Sequence, residues 1–130
     1  DGGCPVDGPE FSTDGGWIYF NSEAAARAPG DAQIFRLRID GTGLEQLTRD
    51  TRVNWFPHPS PDGRALAYLS YPEGTVGHPA DRAVVIRLMA LDGSGQRDLD
   101  AFNGGQGTIN VNSWAPDSRR LAYIRYPDQP

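Results

Sequence analysis

The sequence predicts an all-β chain of β-propeller blades, four-stranded antiparallel meanders, about two and a half of them. Three observations predict it. A turn-plus-strand motif occurs three times, a second motif occurs twice between its copies, and no window sustains helical periodicity over three turns. The first motif runs Phe11-Ser12-Thr13-Asp14-Gly15-Gly16-Trp17-Ile18-Tyr19-Phe20. Its second copy is Pro59-Ser60-Pro61-Asp62-Gly63-Arg64-Ala65-Leu66-Ala67-Tyr68, and its third is Trp114-Ala115-Pro116-Asp117-Ser118-Arg119-Arg120-Leu121-Ala122-Tyr123. Asp14, Asp62 and Asp117 thus recur about every fifty residues, a period that marks propellers and other repeat arrays. The second motif ends in Asp40-Gly41-Thr42-Gly43 and again in Asp92-Gly93-Ser94-Gly95.

Each element has a local cause. Ser60-Pro61-Asp62-Gly63 suits a type I turn, with Ser at the first position, Pro fixing φ at the second and Gly at the fourth. The first copy has Thr13 in place of Pro, which that position tolerates. The apolar stretch 65–70 is too short for an ordinary helix and reads as a strand buried on both faces. The two Asp-Gly-x-Gly tetrads are hairpin turns, because glycine reaches positive φ without steric cost. The run Ala24-Ala25-Ala26-Arg27 has room for a single turn before Pro29-Gly30 stops it. Innermost (A) strands are expected at 7–11, 54–59 and 109–114, and B strands at 17–21, 65–70 and 121–126. C strands follow at 33–39 and 84–91, and D strands at 45–48 and 96–99. These ten strands make one blade over 7–48, a second over 54–99 and a half-blade over 109–126. A blade cannot bury both faces alone, and propellers close with four to eight of them. Further blades of the same protein, or self-association, are expected to complete the ring.

Composition narrows the function classes. Acidic residues outnumber basic ones 17 to 12 among 130 residues, for a net charge of −5. That disfavours nucleic-acid partners, which need a basic face, and polybasic membrane contact. No apolar run reaches the length of a membrane span, so membrane insertion is not expected. The 16 Gly and 11 Pro fit many short elements joined by turns. A lone Cys4 excludes an internal disulfide and reads as an incidental thiol near an exposed end. The opening Asp1-Gly2-Gly3-Cys4 carries no signal-peptide pattern, and a periplasmic or a cytoplasmic setting is equally compatible.

Six residues stand out as binding candidates. His58 lies on an A strand, with Glu10 and Ser113 at the equivalent repeat positions. His58 and Glu10 supply imidazole and carboxylate, two suitable ligands for a divalent metal. The alternative is a histidine hydrogen-bonded to backbone beside its turn. His78 and Asp81 lie in the long B–C loop 71–82, where Asp81 with Arg82 also reads as a solvated pair. Gln106 and Asn110 follow Gly104-Gly105 at the mouth of the channel, where glycine permits close backbone approach. Trp55 and Phe56 read as core, and Asp14, Asp62 and Asp117 as turn formers. No residue is assigned a catalytic role: there is no Gly-x-Ser-x-Gly elbow, no His-Glu-x-x-His and no phosphate-binding loop. Apart from that divalent metal, no cofactor is expected.

The Ser-Pro-Asp-Gly-x-x-apolar-Ala-Tyr element at 60–68, its variant at 115–123 and Leu47-Thr48 resemble the repeat of TolB-like (WD40-like, PD40) propellers. The stretch Asn54–Gly63, with Gly77-His78-Pro79-Ala80-Asp81 and 104–111, is similar to a bacterial subgroup of uncharacterised TolB-related proteins. The resemblance implies a six-bladed ring. Oligogalacturonate lyases share this propeller type with a His-rich manganese site, and only His58 stands at a matching position. The function expected is a noncatalytic scaffold binding a protein or peptide through the face bearing the B–C and D–A loops. The alternatives are a metal-dependent lyase or hydrolase acting on an acidic or sugar substrate at the channel mouth, and the propeller part of a larger peptidase-like chain.

Overall fold

A computed structural model describes residues 6–128; Cys4 lies outside the described residues. Among the described residues eight strands form two four-stranded antiparallel sheets, each a sequential meander. The first holds β1 (Val6–Phe11), β2 (Trp17–Ser22), β3 (Gln33–Arg38) and β4 (Glu45–Gln46). The second holds β5 (Val53–Pro59), β6 (Leu66–Tyr71), β7 (Arg82–Met89) and β8 (Arg97–Gly104). The meander puts the B–C and D–A loops at one end of the sheets and the A–B and C–D hairpins at the other. No helix among the described residues is long and apolar enough to cross a membrane.

The blades stack through their apolar faces. Tyr19 and Ile34 of the first sheet meet Leu66, Tyr68 and Met89 of the second, with Leu47 between them. On its other side the second sheet packs Val84, Ile86 and Phe102 against Ile109, Leu121 and Tyr123. β5 is buried along its whole length, as an innermost strand between two neighbours must be. The turns are linked as well: Thr13 donates its hydroxyl to the Ser60 carbonyl (2.9 Å), and the Asp62 amide donates to the Ser118 hydroxyl (2.9 Å). The middle A–B turn is therefore tied to both neighbours.

Two expectations require correction. The D strand of the second blade, expected over 96–99, extends to Gly104, because Ala101, Phe102 and Asn103 pair with Val85, Val84 and Ala83. The connecting loop shrinks accordingly. The two strands expected at 109–114 and 121–126 form only an isolated bridge, Trp114 to Leu121, so eight strands replace ten. The turn itself is made: Ala115 and Arg120 pair, and the Ala122 amide reaches the Ser113 carbonyl. Beyond it, Ile124 and Tyr126 donate their amides to Thr108 and Asn103. Those donors serve β8 and the loop after it instead of a continuing ladder.

Candidate functional site

The first candidate group is built by a backbone irregularity that repeats. The β1–β2 register shifts between Asp7 and Glu10, and the β5–β6 register shifts between Trp55 and His58. Gly8 (φ 61°) and Phe56 (φ 57°) occupy the left-handed region at these bulges, conformations that glycine tolerates and phenylalanine rarely adopts. The Phe56 amide donates to Asn21 Oδ1 at 3.2 Å, which holds the bulge. Past each bulge lie Glu10 and His58. His58 is buried, and its Nδ1 stands 2.6 Å from Glu10 Oε2. Its Nε2 meets the Ile109 carbonyl. A carbonyl only accepts, so Nε2 carries a hydrogen, and the Nδ1–Glu10 contact is held by a proton on one side or the other. Asn112 Nδ2 donates to Glu10 Oε1 and, at 3.0 Å, to the Pro59 carbonyl; Trp114 Nε1 donates to the His58 carbonyl at 2.9 Å. Three successive innermost segments are thus clasped at His58.

This clasp bears on the metal expectation. Both ring nitrogens of His58 are engaged, so an ion between His58 and Glu10 would have to displace the bond that joins them. Among the described residues no group of three His, Cys, Asp or Glu side chains could hold a metal ion. Asn112, rather than the repeat-equivalent Ser113, completes the cluster.

The second group lies at the mouth. His78 stands edge-on to Trp55 (centroids 4.8 Å apart) and Phe56 (5.0 Å), and its Nδ1 meets Gln106 Oε1 at 2.5 Å. The Gln106 amide donates to the Pro79 carbonyl at 3.1 Å, as does the Tyr71 hydroxyl at 3.0 Å, and the Tyr126 hydroxyl donates to the Gln106 carbonyl. Gly105 is packed so closely on Pro79 that a side chain there would overlap its carbonyl. Asp81, itself at φ 61°, accepts from Asn103 Nδ2 at 2.7 Å. Arg82 donates to the Asp81 backbone carbonyl at 3.2 Å. Asn110 Oδ1 accepts from the Gly107 amide at 3.0 Å, fixing the loop. The six candidates therefore divide into Glu10 with His58 on the innermost strands, and His78, Asp81, Gln106 and Asn110 around a rim tied together by side-chain bonds.

A third feature was not singled out by sequence. A cleft of about 240 Å³ opens between the two B–C loops and the loop after β4, lined by Arg27, Pro29, Asp31, Val53, Glu73 and Thr75, among others. Its walls are fixed. Glu23 accepts from the Gly30 amide at 3.1 Å, Arg27 pairs with Asp31 at 3.2 Å, and Thr75 donates its hydroxyl to the Pro72 carbonyl at 2.8 Å. Burial works to raise the Asp31 carboxyl, and the Arg27 amide and guanidinium with Gln33 outweigh it, holding it below the usual carboxylate range. The only sequence signal for this cleft was the length of the two loops.

No family model matches the chain. It is 44% identical over 120 residues to an uncharacterised protein of Agrobacterium fabrum, Atu1656, an alignment covering 92% of this chain and 40% of that protein. It is 29% identical over 102 residues to dipeptidyl-peptidase 5 of Porphyromonas endodontalis, covering 75% of this chain and 13% of that protein. A solved structure of a candidate TolB from Agrobacterium tumefaciens superimposes with a TM-score of 0.89 at 43% identity, covering 95% of this chain and 43% of that one. The chain spans about two fifths of the length of the Agrobacterium proteins it matches. The fold is TolB-like: all-β, with two antiparallel four-stranded blades of a propeller.

Proposed function

We propose that this chain is part of a noncatalytic propeller scaffold that binds a protein or peptide partner through the face bearing its B–C and D–A loops. The observation that carries the reading is the cross-tied rim. Pro79 accepts from Gln106, His78 meets Gln106, and Asp81 meets Asn103, so loops from different strand pairs form one preset surface. Loops held in place before binding lose little entropy when a partner docks. Loops on a rigid scaffold are also where binding concentrates. Further blades of the same protein, or a second copy, would close the ring around that surface.

Photo-crosslinkers placed at Val76, on the loop face, and at Asp40, on the hairpin face, test this in the full-length protein. Partner adducts are expected from position 76 and not from position 40. Adducts from neither position, or confirmed turnover of a substrate, would overturn the reading.

A second reading has its own support, the 29% identity to dipeptidyl-peptidase 5. On that reading the blades belong to the propeller of a larger peptidase-like chain. The mass of the native protein and an assay for release of amino-terminal dipeptides separate the two.

A further inference from the structure

We propose that the cleft between the two B–C loops is a subsite for one basic side chain, lysine or arginine, presented by a protein partner. The inference rests on the reading of the loop face as a binding surface and deepens it. Size points to a side chain rather than a whole small molecule: about 240 Å³ lies below the ~300–1,000 Å³ usual for small-molecule sites. Shape agrees. The wall formed by Val53, Ala28 and Pro29 is apolar and suits an aliphatic stem, which long basic side chains bury while keeping the charge near water.

Charge supplies the sign. Two acids and one base line the cleft. Arg27 and Asp31 are spent on each other, through both the Arg27 amide (3.1 Å) and its Nε (3.2 Å). Glu73 makes no hydrogen bond or ion pair with any described residue. It is the carboxylate left over at the rim, and a cation at the end of an aliphatic stem is its natural complement. The net charge of −5 favours the approach of a basic partner over long range.

The two loops meet without a gap beside the cleft. A side chain at Gly30, which sits at φ 87°, would come within 2.8 Å of the Val76 Cα. The loops therefore hold one another open at a fixed separation, and an entering side chain need not part them.

The test uses the ¹⁵N-labelled full-length protein titrated with N-acetyl-lysine amide, N-acetyl-norleucine amide and N-acetyl-glutamate amide. The lysine probe is expected to shift the amides of Arg27, Gly74 and Thr75, with weak, saturable binding. Norleucine, which keeps the stem and lacks the charge, and glutamate are expected to bind more weakly. Glu73→Gln, an exposed substitution that leaves the fold intact, should weaken the lysine probe roughly threefold to fivefold, and Ala28→Ser, on the exposed part of the apolar wall, should weaken lysine and norleucine alike. No lysine-dependent shifts at these amides, or equal affinity in Glu73→Gln, would overturn the subsite. Partner adducts at position 76 would then leave the wider loop-face reading standing; their loss as well would remove both.

Discussion

His58 Nδ1 and Glu10 Oε2 lie 2.6 Å apart and join the innermost strands of two neighbouring blades, residues 48 positions apart in sequence. The same imidazole reaches the Ile109 carbonyl on the next segment. One buried side chain thus serves three blades, which sets the first prediction. His58→Ala should destabilise the full-length protein by about 2–4 kcal/mol, since it leaves a buried carbonyl unpaired and opens a cavity. Glu10→Gln, at a partly exposed carboxylate, should cost about 1 kcal/mol. The double variant should cost less than the sum, because the two residues share one contact. Urea unfolding monitored by tryptophan fluorescence measures all three.

Gly105 and Gly63 both hold positive φ, but they should respond differently to alanine. At Gly105 a Cβ would sit 2.1 Å from the Pro79 carbonyl oxygen, which is backbone and cannot rotate away. At Gly63 nothing lies within 4 Å. Gly63→Ala should cost about 1–2 kcal/mol, the strain of a left-handed residue. Gly105→Ala should cost more and should also perturb the rim, seen as altered amide shifts at Pro79's neighbours Ala80 and His78.

The tyrosines of the blade interface differ in a readable way. The Tyr68 hydroxyl is buried and has no partner among the described residues, and burial pushes its ionisation up to about 12. The Tyr19 hydroxyl donates to the Leu91 carbonyl at 3.2 Å. Tyr68→Phe should therefore be neutral or slightly stabilising, since it removes a desolvated group that gained no bond. Tyr19→Phe should lose about 1 kcal/mol. Thermal denaturation of the two variants side by side checks the contrast.

Acid should weaken the hairpin end. The Ser12 and Ser60 hydroxyls, with the Gly16 and Arg64 amides, hold the Asp14 and Asp62 carboxyls below their ordinary value of 3.8. Thr42 and Ser94 act likewise on Asp40 and Asp92. A carboxyl depressed in the folded state contributes stability above its unfolded value, and that contribution is lost as pH falls through the folded one. Melting temperature should thus drop as pH falls from about 4 toward 2, and the drop should shrink in an Asp14→Asn, Asp62→Asn variant.

How much of this was legible in the sequence depends on the kind of signal. The Ser-Pro-Asp-Gly turns and Asp-Gly-x-Gly hairpins are local chemistry, and they marked the blades. Repeat equivalence also aligns Glu10 with His58. It failed at Asn112: Gly8 and Phe56, two positions before Glu10 and His58, hold positive φ, the equivalent Val111 does not, and only Gly8 announces that conformation by its type. The extension of β8 was hidden for a different reason. Asn103-Gly104-Gly105 reads as loop by composition, yet Phe102 and Asn103 pair with Val84 and Ala83 across the sheet. The cleft beside Glu73 joins loops about forty-five residues apart, and no local pattern reports such a meeting.

The hydroxyl ties from Thr13 to Ser60 and from Ser118 to Asp62 pin adjacent blades at their hairpin end. At the opposite end the Gly30 backbone lies against Val76, so the first two blades are fastened along both edges. Their mutual angle is set from two sides, and the rim meets an arriving partner as a template of one shape.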